Sequence, residues 1–397
     1  MKNTSLILSS LLLGFVSTLN AEIKISENKD YIGDVRKQID NNSKMSNTLK
    51  FQKIDKEDIQ FSDHFKAAVT IKNDNSVLDN FNIKVGFDAV AKLKGDYLIN
   101  FKTPLDQKKI RGFGSIGFNF FDKKLNGNIG ALKVNTPLIS SKTQNTIYDS
   151  VYNGGFVSSV FQVEEYSFFA YSGYISHINH EMIEFNELDN GLITAGFYLN
   201  DGEVNEMNAQ FAFEQDNYLQ AYGDIINTFS DTIKIKTQFI YEKNKLLNTV
   251  FEDNYLVGGK VAYLYDENNY FAIAGNMKKE VKIGTVNTYF HNNNVKVDTN
   301  GLYYNTLEES ARSAFKLSYK NKVSVFKNEV SVIKYFDKYD DTMFDESNFE
   351  VDFISKFPIT RYFENTEVQL SAIMIKEKVN NTFNDFNILR ADITYKF

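Results

Sequence analysis

The sequence contains no cysteine and no tryptophan, and only 3 of its 397 residues are prolines. Without cysteine, the chain can form neither a disulfide framework nor a thiolate metal site. With few prolines, long strands can pair without interruption, because proline lacks the amide hydrogen that a strand ladder uses. The 35 phenylalanines and 23 tyrosines are residue types that favour strands. The composition therefore suits a protein of long, paired β-strands.

Long apolar runs are also absent after the first 21 residues, so we expect no later helix of roughly 18 apolar residues to span a membrane. Residues 1–21 combine a charged start at Lys2, an apolar run of about ten residues and a small residue, Ala21, before the expected cut. This order predicts a signal peptide. An uncleaved anchor is the alternative, although the run is short for a hydrocarbon core of about 30 Å. Residues 22–46 follow as a polar N-terminal lead.

Negative charge exceeds positive charge. The formal net charge is −7, and it becomes −8 when Lys2 leaves with the leader. An acidic balance argues against nucleic acid as a partner. It mildly favours cations near the surface or inside a pore.

From residue 47 onward, segments of about ten residues alternate apolar and polar side chains, and turns rich in Asn, Asp, Gly and Lys separate them. The odd positions from Phe81 to Leu93 are apolar and the even positions are polar, with Val90 as the exception. This period of two predicts a strand rather than a helix. The alternation recurs at residues 233–241, 315–320 and 368–374. We count roughly sixteen to eighteen such segments, and single-chain bacterial barrels have an even number of strands.

The alternation fits two architectures. A soluble sandwich or β-solenoid hides its apolar face inside, whereas a membrane barrel turns that face towards lipid. The C-terminal residues favour the barrel, because alternate positions from Leu389 to Phe397 form an apolar face with an aromatic end. This ending resembles the last strand of outer-membrane barrels. Together with the leader, it predicts an all-β chain in which residues 47–397 form a transmembrane antiparallel β-barrel of the cell outer membrane.

Three short motifs carry a family resemblance. They are VGFDA at 85–89 in an early hairpin, NTPL at 135–138 after a strand, and YNGGF at 152–156 where the next strand starts. With the stretches around them, they resemble the OprD-type outer-membrane porins and the related major porins of campylobacter-type bacteria. The resemblance implies about 18 strands, with 16 as the alternative. It also implies a constriction loop folded into the lumen from about Asn135 to Asn153.

The loop departs from the family's pattern, because Gln144 and Asn145 stand where the family often places an arginine. The whole chain is poor in arginine, so lysines would have to supply the basic ladder that the family carries on its lumen wall. The family's selectivity for basic amino acids or carboxylates is therefore not transferred to this chain.

A pore selects solutes through the width of its constriction and the charges that line it. Charged residues on the polar strand faces and in the inward loop are the predicted pore-lining and constriction residues: Lys84, Asp88, Lys92, Arg111, Lys133, Lys142, Asp149, Arg390 and Asp392. Facing rows of opposite charge would orient polar solutes as they pass.

Other polar clusters do not match known sites. The acidic run from Asp337 to Glu350 lacks the ligand spacing of a calcium loop, so we interpret it as a solvated loop. His177 and His180 follow a strand-like segment, fall in a polar connection and lack a full zinc ligand set. No nucleophile elbow, phosphate loop or dinucleotide fingerprint is present. We therefore predict no enzyme, no metal site and no cofactor.

These features predict a porin that forms a water-filled channel for passive diffusion of small hydrophilic solutes and ions, with a weak cation preference. Outer-membrane lipid is the expected partner, and both a homotrimer and a monomer remain open. A substrate-specific OprD-like channel is one alternative. An adhesion or structural outer-membrane barrel with binding loops is the other.

Overall fold

The computed structural model describes the barrel strands and a few connecting residues. The described residues are 46–56, 64–78, 81–94, 109–121, 124–139, 141, 150–163, 166–179, 186–201, 205–216, 218–246, 250–266, 268–279, 298–299, 313–336, 349–359, 366–379 and 382–396. Of β1 and β2 only the backbone is described. The predicted leader and most of the polar lead lie outside these residues, as does Phe397. No helix long and apolar enough to cross a membrane occurs in the described ranges.

Eighteen antiparallel strands make up the regular structure of the described residues. They are β1 Ser46–Lys56, β2 His64–Leu78, β3 Phe81–Lys94, β4 Lys109–Phe120, β5 Leu125–Leu132, β6 Val151–Val163, β7 Tyr166–Asn179, β8 Asn186–Asn200, β9 Asn205–Glu214, β10 Tyr218–Ser230, β11 Ile233–Leu246, β12 Val250–Leu264, β13 Asn269–Lys278, β14 Ser313–Val323, β15 Phe326–Phe336, β16 Phe349–Pro358, β17 Thr366–Val379 and β18 Thr382–Lys396. Each strand pairs with its neighbours in sequence, and β1 pairs with β18. The sheet therefore closes into an up-and-down barrel without a free edge. The predicted count of eighteen is confirmed.

The two rims of the barrel differ in the lengths of their connections. On one rim tight turns join β4 to β5, β10 to β11 and β14 to β15, and both ends of the barrel domain lie there. Ser324, in the turn between β14 and β15, has a φ of 56°, the left-handed conformation that tight hairpins use. In the turn after β12, the Asn269 side chain and the Asn268 amide donate hydrogen bonds to the Asp266 carboxylate, which lowers the pKa of Asp266. The other rim carries the longer connections, including 133–150 and 279–312.

The barrel is built inside out relative to a soluble protein. Phe239 and Val257, which are partners in the β11–β12 register, leave 46% and 52% of their surface exposed on the outside. Gln238 precedes Phe239 on β11, so its side chain lies on the opposite face, and it is only 3% exposed. In water, each large apolar side chain left exposed forgoes about 1.5–3 kcal/mol of burial energy, so a whole belt of them fits lipid rather than water. The transmembrane barrel is therefore confirmed over the soluble sandwich.

The predicted faces agree with this orientation at most positions whose side chains are described, and Val368, which is only 6% exposed, is an exception. Phe81, Ile83 and Val85 in β3 are exposed, as are Phe315 and Tyr319 in β14. The alternation in the sequence thus reports which side chains contact lipid and which line the lumen.

Candidate functional site

A segment after β5 folds into the lumen. Two backbone hydrogen bonds tie it into a compact turn: the Ser141 amide donates to the Val134 carbonyl over 2.6 Å, and the Thr136 amide donates to the Ile139 carbonyl, also over 2.6 Å. Leu138 and Ile139 are fully buried. Residues 133–139 and Ser141, which we call the first inward segment, overlap the start of the predicted constriction loop at Asn135. An inward fold of this loop is therefore confirmed for the described part.

Gln210 on β9 fixes the first inward segment to the barrel wall. Its Oε1 accepts a hydrogen bond from the Leu138 amide at 2.8 Å. Its Nε2 donates to Thr136 Oγ1 at 2.9 Å and to Thr194 Oγ1 on β8 at 2.8 Å. Gln210 is 3% exposed, so these bonds are shielded from water. One side-chain amide thus joins the segment to two neighbouring strands.

An apolar cluster inside the lumen packs the first inward segment against the barrel wall. Its members are buried and come from the inward segment and from strands β5 to β12: Leu132, Val134, Leu138, Ile139, Tyr152, Phe156, Ile175, Ile178, Leu188, Leu192, Ala212, Tyr222, Ile240 and Leu256. Packing against the wall gives the segment a fixed position, because the buried side chains lose contacts if it moves. The segment therefore narrows the lumen along the β5–β12 wall.

A second inward segment, Asp298–Thr299, comes from the long connection between β13 and β14. The Asp298 amide donates to Gln238 Oε1 on β11 at 3.3 Å. Thr299 Oγ1 accepts a hydrogen bond from Asn276 Nδ2 on β13, and its carbonyl accepts one from the Tyr335 hydroxyl on β15 at 3.5 Å. Thr299 is 1% exposed. Two separate segments therefore enter the lumen.

Three lysines lie in one register row on the wall beside the second inward segment. Lys236 on β11 pairs with Lys260 on β12, Lys260 pairs with Ala274 on β13, and Ala274 pairs with Lys316 on β14. The Asp298 carboxylate lies 3.0 Å from Lys236 Nζ and 3.6 Å from Lys260 Nζ.

Carboxylates surround this lysine row. Lys236 also contacts Asp224 on β10 at 3.4 Å. Glu329, Glu350 and Asp352 interact electrostatically with Lys316, and the last two are 0% and 1% exposed on β16. The lumen wall therefore carries both signs of charge in close contact, without a uniformly basic stripe.

The two inward segments connect through shared partners on β10 and β11. Gln238 accepts from the Asp298 amide and donates through Nε2 to the Tyr222 hydroxyl at 3.1 Å. The Tyr222 hydroxyl in turn donates to Asp224. Because Tyr222 also belongs to the apolar cluster under the first inward segment, one continuous network spans both segments.

The predicted pore-lining residues that lie on strands fall into two groups on the wall. Lys84, Asp88 and Lys92 lie on β3, and Asp88 is the register partner of Arg111 on β4. Arg390 and Asp392 lie on β18, separated from β3 by β1 and β2. The side chains of Asp88 and Lys92, together with Lys142 and Asp149, lie outside the described residues. Whether any of the nine lines a constriction stays a prediction.

Two of the predicted residues have defined contacts. Arg111 is buried, and its Nη1 donates to the Asn179 carbonyl at 3.1 Å and to Asn179 Oδ1 at 2.7 Å. Lys133 Nζ lies 4.5 Å from the centre of the Phe113 ring, a cation–π contact. Arg111 therefore joins β4 to the end of β7, and Lys133 anchors the start of the first inward segment.

Three sequence interpretations need correction. The family resemblance extends the loop to about Asn153, but β6 already starts at Val151. The sequence pattern puts His177 in a polar connection, but it lies in β7, with Nδ1 2.9 Å from Ser176 Oγ. The acidic run predicts a solvated loop that includes Glu350, but this residue lies in β16 and is fully buried. His180 and the rest of the acidic run lie outside the described residues.

The sequence missed the residues at the centre of the lumen network. The alternation over residues 233–241 places Lys236 and Gln238 on a polar strand face, whereas no motif in the sequence marks Asp298, Gln210 or Asp224. The only available signal was the alternation itself, which places Gln210 and Asp224 on inward positions of β9 and β10. Nothing in the local pattern indicates that Asp298 returns to the β11–β12 wall.

No family model and no curated protein sequence matches this chain. Solved structures are similar in fold. The structure of OpdK from Pseudomonas aeruginosa with vanillate has a TM-score of 0.69 at 11% identity, over 90% of this chain and 99% of that chain. OccK8 (OprE) from the same organism has a TM-score of 0.68 at 11% identity, over 90% and 98% of the two chains. OccAB2 from Acinetobacter baumannii has a TM-score of 0.69 at 15% identity, over the same shares.

Likeness at these identities shows the fold alone. It supports the OprD-type resemblance at the level of architecture, since the barrels align over nearly their whole length. The campylobacter-type part of the resemblance gains no support from these structures.

Proposed function

We propose that this chain is an outer-membrane porin that forms a water-filled channel for passive diffusion of small hydrophilic solutes and ions. The carrying observation is the inside-out barrel with two segments held against its inner wall. An apolar outer belt suits lipid, and a polar lumen with fixed inward segments suits a size-limited aqueous path. Export through residues 1–21 to the outer membrane belongs to the proposal, and no enzymatic step does.

The proposal includes a weak cation preference. The net charge of −7 supports it. A local feature supports it as well: the Lys236 and Lys260 ammonium groups are balanced by the carboxylates of Asp224 and Asp298. Neutralised lysines attract permeating anions less than free ones would, so the remaining acidic field favours cations.

Single-channel recording in planar bilayers tests the proposal. The full chain, folded in detergent, should give discrete conductance steps on addition, and the same sample unfolded by heat should give none. An absence of steps from the folded barrel would contradict the porin. In a KCl gradient, the reversal potential should lie slightly towards the potassium equilibrium potential. A reversal potential on the chloride side would contradict only the cation preference.

A substrate-specific channel is the second candidate, favoured by the row of Lys236, Lys260 and Lys316. The similar protein OpdK was crystallised with vanillate, an aromatic carboxylate. If this chain is specific for such solutes, vanillate should block the current in a saturable way at concentrations where acetamide, a neutral polar solute, has no effect. Equal and non-saturable effects of both solutes would favour the general porin.

A further inference from the structure

The Asp298 carboxylate forms ion pairs with two lysines. Its Oδ2 lies 3.0 Å from Lys236 Nζ, and its Oδ1 lies 3.6 Å from Lys260 Nζ. The Asp298 side chain is 17% exposed, and those of the lysines are 18% and 28% exposed, so the contact is largely shielded from solvent. Each carboxylate oxygen thus takes one ammonium group, as a bound carboxylate ligand would.

A shared anion stabilises the two lysines. They are direct partners across the β11–β12 pair, and like charges in that position repel each other. Of the two lysines, Asp224 forms an ion pair with Lys236 and not with Lys260, so Asp298 is the acidic partner of Lys260 among the ion pairs of the described residues. Lys260 also faces the Tyr270 ring, with Nζ 5.7 Å from the ring centre. Without Asp298, the pair would present excess positive charge to the lumen.

We propose that Lys236 and Lys260 form an anion site in the lumen and that Asp298 occupies it as a built-in carboxylate. The side chain competes with permeating carboxylates for the same two ammonium groups. Asp298 is therefore a specificity-determining residue that keeps the lumen from selecting anions. This inference rests on the proposed channel function for its role in transport, although the anion site itself can be tested without conductance.

The position of the second inward segment does not depend on the Asp298 carboxylate alone. Its backbone amide binds Gln238 Oε1, and Thr299 binds Asn276 and Tyr335. An isosteric Asp298→Asn change removes the negative charge but leaves these contacts in place. The variant should therefore fold normally while the anion site becomes available.

The matched control is Asp231→Asn, which removes the same charge from an exposed turn between β10 and β11. Acetate is the probe, because it carries the same carboxylate group as the aspartate side chain. Its binding to each detergent-folded barrel is measured by isothermal titration calorimetry at low ionic strength. Circular dichroism and heat-modifiable gel migration establish that every variant is folded.

Competition between the Asp298 carboxylate and acetate determines how much the apparent affinity for acetate should change. If Asp298 occupies the site for nine tenths of the time, its removal strengthens the apparent affinity for acetate about tenfold. The Asp298→Asn variant should also shift the reversal potential in a KCl gradient towards the chloride equilibrium potential. Asp231→Asn should change neither quantity. Adding Lys260→Gln to the Asp298→Asn variant should abolish the gain in acetate binding.

The outcomes separate the anion site from the channel. An unchanged acetate affinity in folded Asp298→Asn protein overturns the inference, even if the conductance rises, because the side chain would then act only as a spacer. Tighter acetate binding in a barrel that shows no conductance supports the anion site and contradicts the porin. An equal gain in the Asp231→Asn variant overturns the inference, because the effect would then reflect net charge.

Discussion

Gln210 shows how a single lumen residue can set the position of a whole segment. Its amide oxygen accepts a hydrogen bond from Leu138, and its amide nitrogen donates to Thr136 and Thr194. Gln210 is buried, so these bonds are shielded from solvent. A shorter side chain at this position would leave the Leu138 amide buried without its acceptor. A buried donor of this kind costs about 1–3 kcal/mol.

We predict that Gln210→Ala lowers the free energy of unfolding by about 1–3 kcal/mol for this reason. The first inward segment should also lose its tie to β8 and β9, so the single-channel conductance should rise. Tyrosine fluorescence during guanidinium unfolding in micelles measures the first effect, and bilayer recording measures the second. The control is Gln215→Ala, an exposed position beyond β9 that should leave both unchanged. Wild-type conductance in folded Gln210→Ala protein would contradict the role of Gln210 as an anchor.

Local pattern determines which single residues could be found from the sequence. Alternation places Lys236 and Gln238 on a polar face, and the structure puts both on the lumen wall. Asp298 cannot be assigned in this way, because its partners on β11 and β12 lie far away in sequence. Contacts between a loop and a distant wall depend on tertiary packing, which periodicity does not encode.

At the level of elements, the strands were predictable and their ends were less so. The period of two marks a strand directly, since one face contacts lipid and the other contacts the lumen. Two β-bulges account for part of the error at the ends. The register shifts at Asn153/Gly154 in the β6–β7 pair and at Ile175/His177 in the β7–β8 pair. Each shift interrupts the alternation of faces, and the second one lies at His177, which the sequence pattern assigns to a connection. The loop end at Asn153 is instead what the family resemblance implies.

Gly130 in β5 is a position where the strand requires glycine. Its φ of 134° is rarely adopted by residues with a side chain, and an added Cβ would lie 2.4 Å from the Gly114 carbonyl oxygen. We predict that Gly130→Ala lowers the free energy of unfolding by more than about 2 kcal/mol, through backbone strain and overlap with β4. Guanidinium unfolding followed by circular dichroism measures the change.

The control for Gly130 is Gly112→Ala on the neighbouring strand β4. An added Cβ at Gly112 meets no atom within 4 Å, and the position is exposed. This variant should stay within about 0.5 kcal/mol of the wild type. Equal stability of the two variants would show that the β4–β5 pair can relax around Gly130.

For the whole molecule, the sequence predicted the architecture but not the interior. A range of sixteen to eighteen strands and the outward apolar face follow from a pattern repeated along the chain, so an error in one segment changes little, and the family resemblance implies the count of eighteen. The second inward segment has no such repetition. It is defined by a few contacts of Asp298 and Thr299 with β11, β12, β13 and β15. The lumen is therefore where this barrel acquires properties that its strand pattern does not determine.

The outward face gives the most direct test of the membrane barrel as a whole. Val257 lies within β12, between Phe239 and Met277 on the neighbouring strands, and is 52% exposed. On the surface of a soluble sandwich, Val257→Arg would be nearly neutral, because the guanidinium would be hydrated. In a bilayer the same change places a charge in hydrocarbon, so we predict a loss of about 2–4 kcal/mol of folding free energy in lipid vesicles.

The control for Val257 is Tyr265→Arg, a 75% exposed position just beyond the end of β12. Near the membrane interface an arginine costs only about 0–1 kcal/mol, because its charge can reach water. Folding into vesicles is followed by gel mobility across a denaturant series for both variants. Equal and small effects would mean that the β11–β13 face does not contact hydrocarbon. A large effect at Val257 alone would mean that the apolar belt is the lipid-facing surface on which the proposed channel function depends.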